Sequence, residues 1–444
     1  MAQSTKSNLV EKGFGSYFPI ILALCVILGL PSAMLINTAS IFYEPIANDI
    51  AGGTQNLAMV SAWMSLCLLS CALFSPIIGR WMEKYDIRIL MVVSILVEVV
   101  AFLIFSVATA PWQLWIVGFV CGIPNTILMG MSASVLINRW FRRHVGLLIG
   151  ICTAFAGLGA AIFLVIGQAI MAAVGWRFTY DVWAIIALVV AVPVVLICVR
   201  NDPSDRGLLP YGTAWAVEKA GGEQHTVVNP PSVDPKVGTR SIVFVLVVVF
   251  GFLVSFICQI NGYFPRYVNW IGEQALAGQM AGAFISGAVL ASVCQVGSAC
   301  GKIGLGIFSD FSVGKAIAVL SGAGIVGIIC IWGFPSTILM PIGGLIFGLF
   351  IAGVLVLSPM LIRRVFGEGK NFPIFNGRAG FFTQLGGSAA NLVWPVLQGT
   401  AWGSTRYLQQ QSLVLLSSLS PVWLPTACVT SFLVFRSLKT NQEL

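Results

Sequence analysis

The sequence predicts an all-α membrane protein, with twelve transmembrane helices in two six-helix bundles and both termini cytoplasmic. Three observations carry that expectation. Hydrophobic residues make up 58% of the 444-residue chain and charged residues only 9%, against about 25% charged in soluble domains. The apolar residues gather into runs near the roughly 20 residues that a helix needs to cross a bilayer. Lys and Arg are also segregated between alternate connections. With the N-terminus inside, only Arg177, Arg266 and Arg406 fall on the outer side, and the other Lys and Arg lie within. That bias orients membrane spans, and shifting the count by one span would scramble it.

In order, the runs lie near 18–42, 57–78, 89–109, 113–137, 146–170, 178–199, 241–263, 280–305, 316–333, 336–361, 376–400 and 412–435. Bare backbone amides are not tolerated in lipid, so each run is read as a helix, and the alternating pattern of a membrane barrel is absent. Prolines inside run 1 (LGLPSAM) and run 6 (AVPVVL) are compatible with this where neighbouring helices satisfy the freed carbonyls. The start, MAQSTKSNLVEKGFGSYFPI, is polar for too long to be a cleaved leader, so the first helix is expected to be retained. Residues 200–240 are rich in Pro, Gly and mixed charge and read as an inner linker. They divide the chain into a bundle at 1–199 and a second at 241–444.

Other classes fit poorly. The 11 cysteines sit in apolar runs without metal-ligand spacing and read as small buried hydrophobes. The two histidines, His144 and His225, lie in inner loops, and no paired carboxylates or phosphate-binding glycine loop suggests an enzyme. The net charge of +8 follows from topology; basic residues are not interleaved with aromatics as in a nucleic-acid binder. No cofactor or metal is expected. A single copy contains both halves and is expected to function as a monomer in the cytoplasmic (inner) membrane.

The halves carry a weak repeat. After run 2 come Gly79, Arg80, Glu83 and Arg88 in GRWMEKYDIRIL; after run 8 come Gly306, Asp310 and Lys315 in GIFSDFSVGKAI. Loops 4–5 (NRWFRRHVG) and 10–11 (RRVFGEGKNF) again match in place and character. Repeats of six spans are a transporter architecture. A glycine lets a neighbouring helix approach, and the following acid can cap that neighbour or pair with Arg80 or Arg88. The set reads as a latch that forms in one state and breaks in another.

These residues resemble the major facilitator superfamily. GRWMEKYDIR is similar to its loop 2–3 signature, with Glu83 where Asp is usual and Asp86 where Gly is common. INRWFRRHVGLLIGICTAFAGLGAAI (137–162), GWRFTYDVWAII and DPSDRGLLPYG (202–212) resemble the branch containing the oxalate/formate antiporter and the monocarboxylate transporters. SIFYEPIANDI and FGEGKNFPIFNGRAGFFTQLGG are similar to it too. The resemblance covers the chain apart from residues 1–15 and most of the linker. In that branch an organic anion is held by basic side chains, one of them in span 8, four residues before the Gly of a G-x-x-x-D signature. Gly306 and Asp310 match the signature, so the resemblance implies that Lys302 binds the anion.

The residues themselves point to Lys302 as well. No charged residue lies between Glu273 and Lys302, and an ammonium within a span costs several kcal/mol unless it is paired or wet. Gln295, Ser298 and Lys302 share one helix face, a polar stripe suited to a cavity wall. Gly297, Gly301 and Gly304 form an adjacent stripe suited to packing another helix. The rival is snorkelling: Asp310 lies only about 12 Å of helix rise away, and a lysine stem can lift its head to the interface. The branch also tends to place a second base in span 11. Here Arg378 opens the span and deeper positions offer Gln384, Asn391 and Gln398, which argues for a monoanion.

Asn37 and Asn125 are candidates for substrate contact or interhelical hydrogen bonding, as are Gln259 and Asn261. Glu98 lies mid-way along span 3. It is either a possible proton carrier or a protonated structural residue bonded to a neighbour. Asp181 and Arg177 are expected to pair, and Trp112, Trp176, Trp270 and Trp402 to anchor the interface. The leading function is a secondary transporter of a small organic anion, a monocarboxylate, by alternating access, as proton symporter or anion antiporter. The alternative is a proton-coupled efflux pump for amphipathic compounds. Such pumps often carry a proline within a glycine-rich stretch of span 5, and GLGAAIFLVIGQAI has none.

Overall fold

The computed structural model describes residues 10–53, 57–219, 234–276, 282–367 and 369–397. Ten helices among them are long and apolar enough to cross a membrane: α1 Phe18–Asn37, α2 Met59–Lys84, α3 Ile87–Ser106, α4 Pro111–Trp140, α5 Val145–Val174, α6 Trp176–Cys198, α7 Ile242–Asn261, α8 Val289–Phe311, α9 Val313–Gly333 and α10 Leu339–Phe366. A further helix, α11, spans Phe372–Leu397. The twelfth run, 412–435, lies outside the described residues. Side chains start several helices by accepting a free first-turn amide: Asp86 takes Arg88 N at 2.9 Å, Ser241 takes Phe244 N at 3.2 Å and Ser286 takes Val289 N at 3.4 Å. Asp86, unusual in its motif, thus has a local job as the cap of α3.

Three helices widen into a π-turn beside a proline. Ala33–Asn37 follows Pro31, Ile127–Met131 follows Pro124, and Ala187–Ala191 precedes Pro193. Proline lacks the amide that would continue the ladder, and the local widening absorbs the defect.

Two compact units emerge. The first comprises the chain up to Gly238 together with Ile362–Phe381; the second comprises Thr239–Leu361 and the chain from Phe382 on. In the first, α2 and α4 pack most closely. A Cβ on Gly118 would stand 2.6 Å from the Trp63 carbonyl oxygen, and one on Gly122 would strike Cys67 and Ser70. α1 meets α5 in the same way, Gly159 against Gly29. Small residues let backbones approach in lipid, where burial of apolar area supplies no drive between helices.

At one end of this unit Arg177 donates to Asp49 Oδ2 at 2.9 Å, to Ser106 O at 2.9 Å and to Ala108 O at 2.7 Å. Its acid is therefore Asp49, on helix Ser40–Ile50, rather than the expected Asp181. Trp176 is 7% exposed, donates to Asp49 Oδ2 at 3.2 Å and lies under the Arg177 guanidinium, so it is packed and not an interface anchor. Trp112 is 55% exposed.

At the basic-loop end, the first part of the linker is docked. Tyr17 donates to Leu209 O at 2.6 Å, and the Glu11 carboxylate accepts from Gly212 N and Ala214 N at 2.7 and 2.9 Å. Tyr211 and Phe141 pair by a short bridge, and Phe14, Tyr17, Trp140, Phe141 and Tyr211 form one aromatic cluster.

In the second unit, α8 lies against α10. Gly297 faces the Leu345 backbone, Gly301 faces Leu349 and Ala352, and Gly348 faces Cys294 and Ser298; Gly304 has nothing within 4 Å of its Cβ position. α7 lies against α11, with Gly386 on Phe252, Gly251 on Thr383 and Gly387 beside Ser255 and Gln259.

Candidate functional site

In the second unit the candidate polar side chains fall on α7, α8 and α11. Helix α8 has three faces. Val289, Val296, Ile303 and Ile307 are exposed and apolar, as suits lipid. Gly297 and Gly301 seat α10. Between these faces lie Gln295, exposed, and Lys302, partly buried. Ser298 is 2% exposed and turns toward Gly348 of α10, so it backs the stripe more than it lines it. The helix runs on to Phe311, which leaves Lys302 about 14 Å of rise from that end, with exposed Phe308 and Phe311 beyond it.

On α11, Gln384 is partly buried and its carbonyl accepts the Ser388 hydroxyl at 2.9 Å. Gln259 of α7 comes within 3.9 Å of a Cβ position at Gly387, one turn along α11 from Gln384. Asn391 and Gln398 fall where side chains are not described. Arg378 is committed near the basic-loop end, where it donates to Pro235 O at 2.8 Å.

In the first unit, Asn125 is 0% exposed. Its Oδ1 accepts from Ser32 at 3.4 Å and its Nδ2 donates to Cys71 Sγ at 3.5 Å. It ties α1, α2 and α4 together, away from any solvent-facing wall. Asn37 is exposed and donates to Ala156 O of α5 at 3.3 Å.

The latch residues divide. Gly79 lies against α11, where a Cβ would collide with Pro373 O and approach Gly377, and the neighbouring Ser75 hydroxyl donates to Gly377 O at 2.9 Å. Arg80 and Glu83 are exposed and Arg88 is partly buried; among the described residues Glu83 forms no ion pair with either arginine. Gly306 accepts the Ser309 hydroxyl at 2.8 Å, and Asp310 is exposed. The residue that binds this end together is Arg139, which the motif reading did not single out. Its guanidinium donates to Asn201 Oδ1 and to Met82 O at 2.8 Å, with Glu83, Asp86, Asp202 and Asp205 around it. Burial raises the Asp202 carboxyl above the usual carboxylate range against the opposing pull of Arg139. Only its position in NRWFRRHVG, at the end of a span, could have marked it. Arg139→Ala strands both acceptors, and the expected loss is about 1.5–3 kcal/mol, the worth of hydrogen bonds to a charged group. Thermal unfolding of the detergent-solubilised protein reads it; an unchanged midpoint would make the contacts incidental.

A sequence model of the Major Facilitator Superfamily matches residues 21–391. The chain belongs to the Major Facilitator Superfamily. Solved structures agree on the fold. The fucose:proton symporter FucP of E. coli superposes with a TM-score of 0.66 over 94% of this chain and 99% of that one, at 12% identity. The proton:xylose symporter XylE superposes with a TM-score of 0.62 over 96% and 97%, at 13% identity. Curated relatives are distant. The riboflavin transporter RibJ of Trypanosoma brucei brucei is 26% identical over 38% of this chain and 31% of its own length. The multidrug resistance protein MdtG of Serratia proteamaculans is 26% identical over 36% and 40%. The matched stretch thus spans well under half of either relative. The MFS transporter asaE of Aspergillus flavus is 22% identical over 80% of this chain and 74% of its own. Superfamily membership makes this a multi-pass membrane protein of a transporter family, not of an enzyme family.

Proposed function

We propose that this superfamily member is a secondary transporter of a small organic anion, a monocarboxylate, working as a single chain by alternating access across the cytoplasmic membrane. Both termini are inside, bundles at 1–199 and 241–444 move about the linker at 200–240, and a proton or a counter-anion supplies the drive. The observation that carries this reading is Lys302. It is an ammonium well within α8, beside Gln295, on a face that neither meets lipid-exposed apolar residues nor seats α10. The neutral amides assigned to the same site are Gln259 of α7, 3.9 Å from a Cβ position at Gly387, and Gln384, one turn away on α11, while Arg378 donates to Pro235 O. A single cation with neutral amides matches a single negative charge.

A second reading, efflux of amphipathic compounds, is favoured by one observation, the similarity to MdtG, which is described as a multidrug resistance protein. Proteoliposomes separate the two. Uptake of labelled mono- and dicarboxylates, with and without a pH gradient, is measured beside extrusion of ethidium. Monocarboxylate uptake that exceeds dicarboxylate uptake supports the anion reading. Dicarboxylate preference sinks the single-charge argument, and ethidium extrusion without anion uptake selects the efflux pump.

A further inference from the structure

Glu98 occupies a core position on α3 in the series Met91, Ile95, Glu98, Phe102 and Phe105, all buried. The opposite face, with Ile89, Val93, Leu96, Val100 and Leu103, is exposed. The Glu98 side chain is 0% exposed, and neither Oε1 nor Oε2 has a hydrogen-bond partner among the described residues. The titratable groups around it are the thiols of Cys67 and Cys71 from α2 and Cys121 from α4. From α6 comes Tyr180, stacked on Phe102 with ring centroids 6.1 Å apart. Helix Ser40–Ile50 contributes Tyr43, beside Cys67. All of these are uncharged at about pH 7 by their ordinary ionisation. Among the described side chains, the charged groups of the neighbouring helices sit at helix ends: Arg80, Glu83 and Lys84 of α2, Arg139 of α4, Arg177 and Asp181 of α6, and Asp49 of helix Ser40–Ile50.

A carboxylate sealed in such a place without a donor or cation is strongly disfavoured, so the group carries a proton. A structural glutamic acid would use its O–H on a neighbouring carbonyl, and among the described residues this one does not. A leucine would fill the same volume without burying polar atoms. The acid therefore stabilises nothing in the conformation seen, and the proton it stores is left as the reason for its presence.

We propose that Glu98 is the proton-binding residue through which a proton gradient drives this carrier. The carboxyl holds its proton in the conformation described here and releases it to water in another. A line of polar groups marks the way out. Cys71 receives Asn125 Nδ2 at 3.5 Å, Asn125 Oδ1 receives Ser32 Oγ at 3.4 Å, and Ser32 adjoins the π-turn Ala33–Asn37, which ends at the exposed Asn37. Movement of α2 by a fraction of a turn would bring the Cys71 end of that line to the carboxyl. The coupling role rests on the transport reading above; the stored proton does not.

The test has two arms. In proteoliposomes with labelled lactate as probe, Glu98→Gln is expected to keep lactate exchange at equal pH and to lose gradient-driven accumulation, down to the level of protein-free liposomes. Glu98→Asp is expected to restore part of it. Gradient-driven accumulation by Glu98→Gln at the parental level overturns the proposal. The second arm needs no cargo. Infrared spectra of the purified parent are expected to show a protonated carboxylic C=O band at neutral pH that is missing from Glu98→Gln, and dicyclohexylcarbodiimide is expected to label Glu98 in the parent. A parent without that band and without label overturns the proposal whether or not the variant folds. If lactate is not moved but band and label behave as stated, the cargo assignment has failed and the proton site stands.

Discussion

Lys302→Gln is expected to cut uptake of the preferred monocarboxylate by roughly 30-fold to several thousandfold at equal protein. The range follows from the loss of one partner of a desolvated charge pair, about 2–5 kcal/mol, at about 1.4 kcal/mol per tenfold. Glutamine keeps most of the volume and two donors, so the charge is what the substitution removes. The loss is expected in kcat/KM for anions and to be absent for an uncharged analogue such as the corresponding amide. Lys302→Arg keeps the charge on a longer, planar head and is expected to retain part of the rate. The rival assignment, with the amine lifted to the interface, predicts near-parental transport for both variants. The length of α8 bears on this. The apolar run ends at 305, but the helix continues to Phe311, and exposed Phe308 and Phe311 extend the apolar surface past the lysine. A head at that depth has farther to climb than the run alone implies. A variant that moves the anion as fast as the parent would remove Lys302 from the site.

Hydropathy made the helices legible because each span must satisfy its own backbone and present apolar side chains to lipid; neither demand depends on the neighbours. Boundaries were less legible where side chains intervene. α8 begins after the Ser286 cap, although the apolar run opens at 280, and α2 runs through GRWMEK to Lys84 because an amphipathic last turn suits the interface. Pairings between remote segments were not legible. Arg177 chose Asp49 over the nearer Asp181 because helix Ser40–Ile50 carries Asp49 to the turn between α3 and α4, where Ser106 O and Ala108 O complete the fork. By composition residues 200–240 read only as a linker, yet Phe14, Tyr17, Trp140 and Phe141 gather around Tyr211, and the Glu11 carboxylate docks its first part. Asn125 shows the same limit. Its residue type in span 4 suits both a ligand and a helix-to-helix bond, and only burial against Ser32 and Cys71 separates them.

Gly377→Val is expected to disable transport by a different route. At the crossing of α2 with α11, a Cβ at position 377 would stand 2.5 Å from the Ser75 carbonyl oxygen and 3.0 Å from the Gly79 Cα. These are backbone atoms that cannot rotate away, so the helices must part. The Ser75 hydroxyl then loses Gly377 O, its partner at 2.9 Å. Overpacking of this kind costs about 1–3 kcal/mol, and a state whose closure depends on the crossing loses that much relative to one in which it is open. At about 1.4 kcal/mol per tenfold, the closed population falls by roughly 5- to 100-fold, and turnover falls with it while substrate binding persists. Gly79→Val attacks the same crossing from the other side, against Pro373 O, and is expected to behave alike. Gly304→Ala, with nothing within 4 Å, is the neutral control. The readout is a cysteine placed by Ser75→Cys in a background without native cysteines. Position 75 is 3% exposed and should resist a water-soluble maleimide until Gly377→Val opens the crossing. If turnover falls while labelling stays slow, the two glycines serve packing alone and the latch must be sought elsewhere, with Arg139 the next residue to examine.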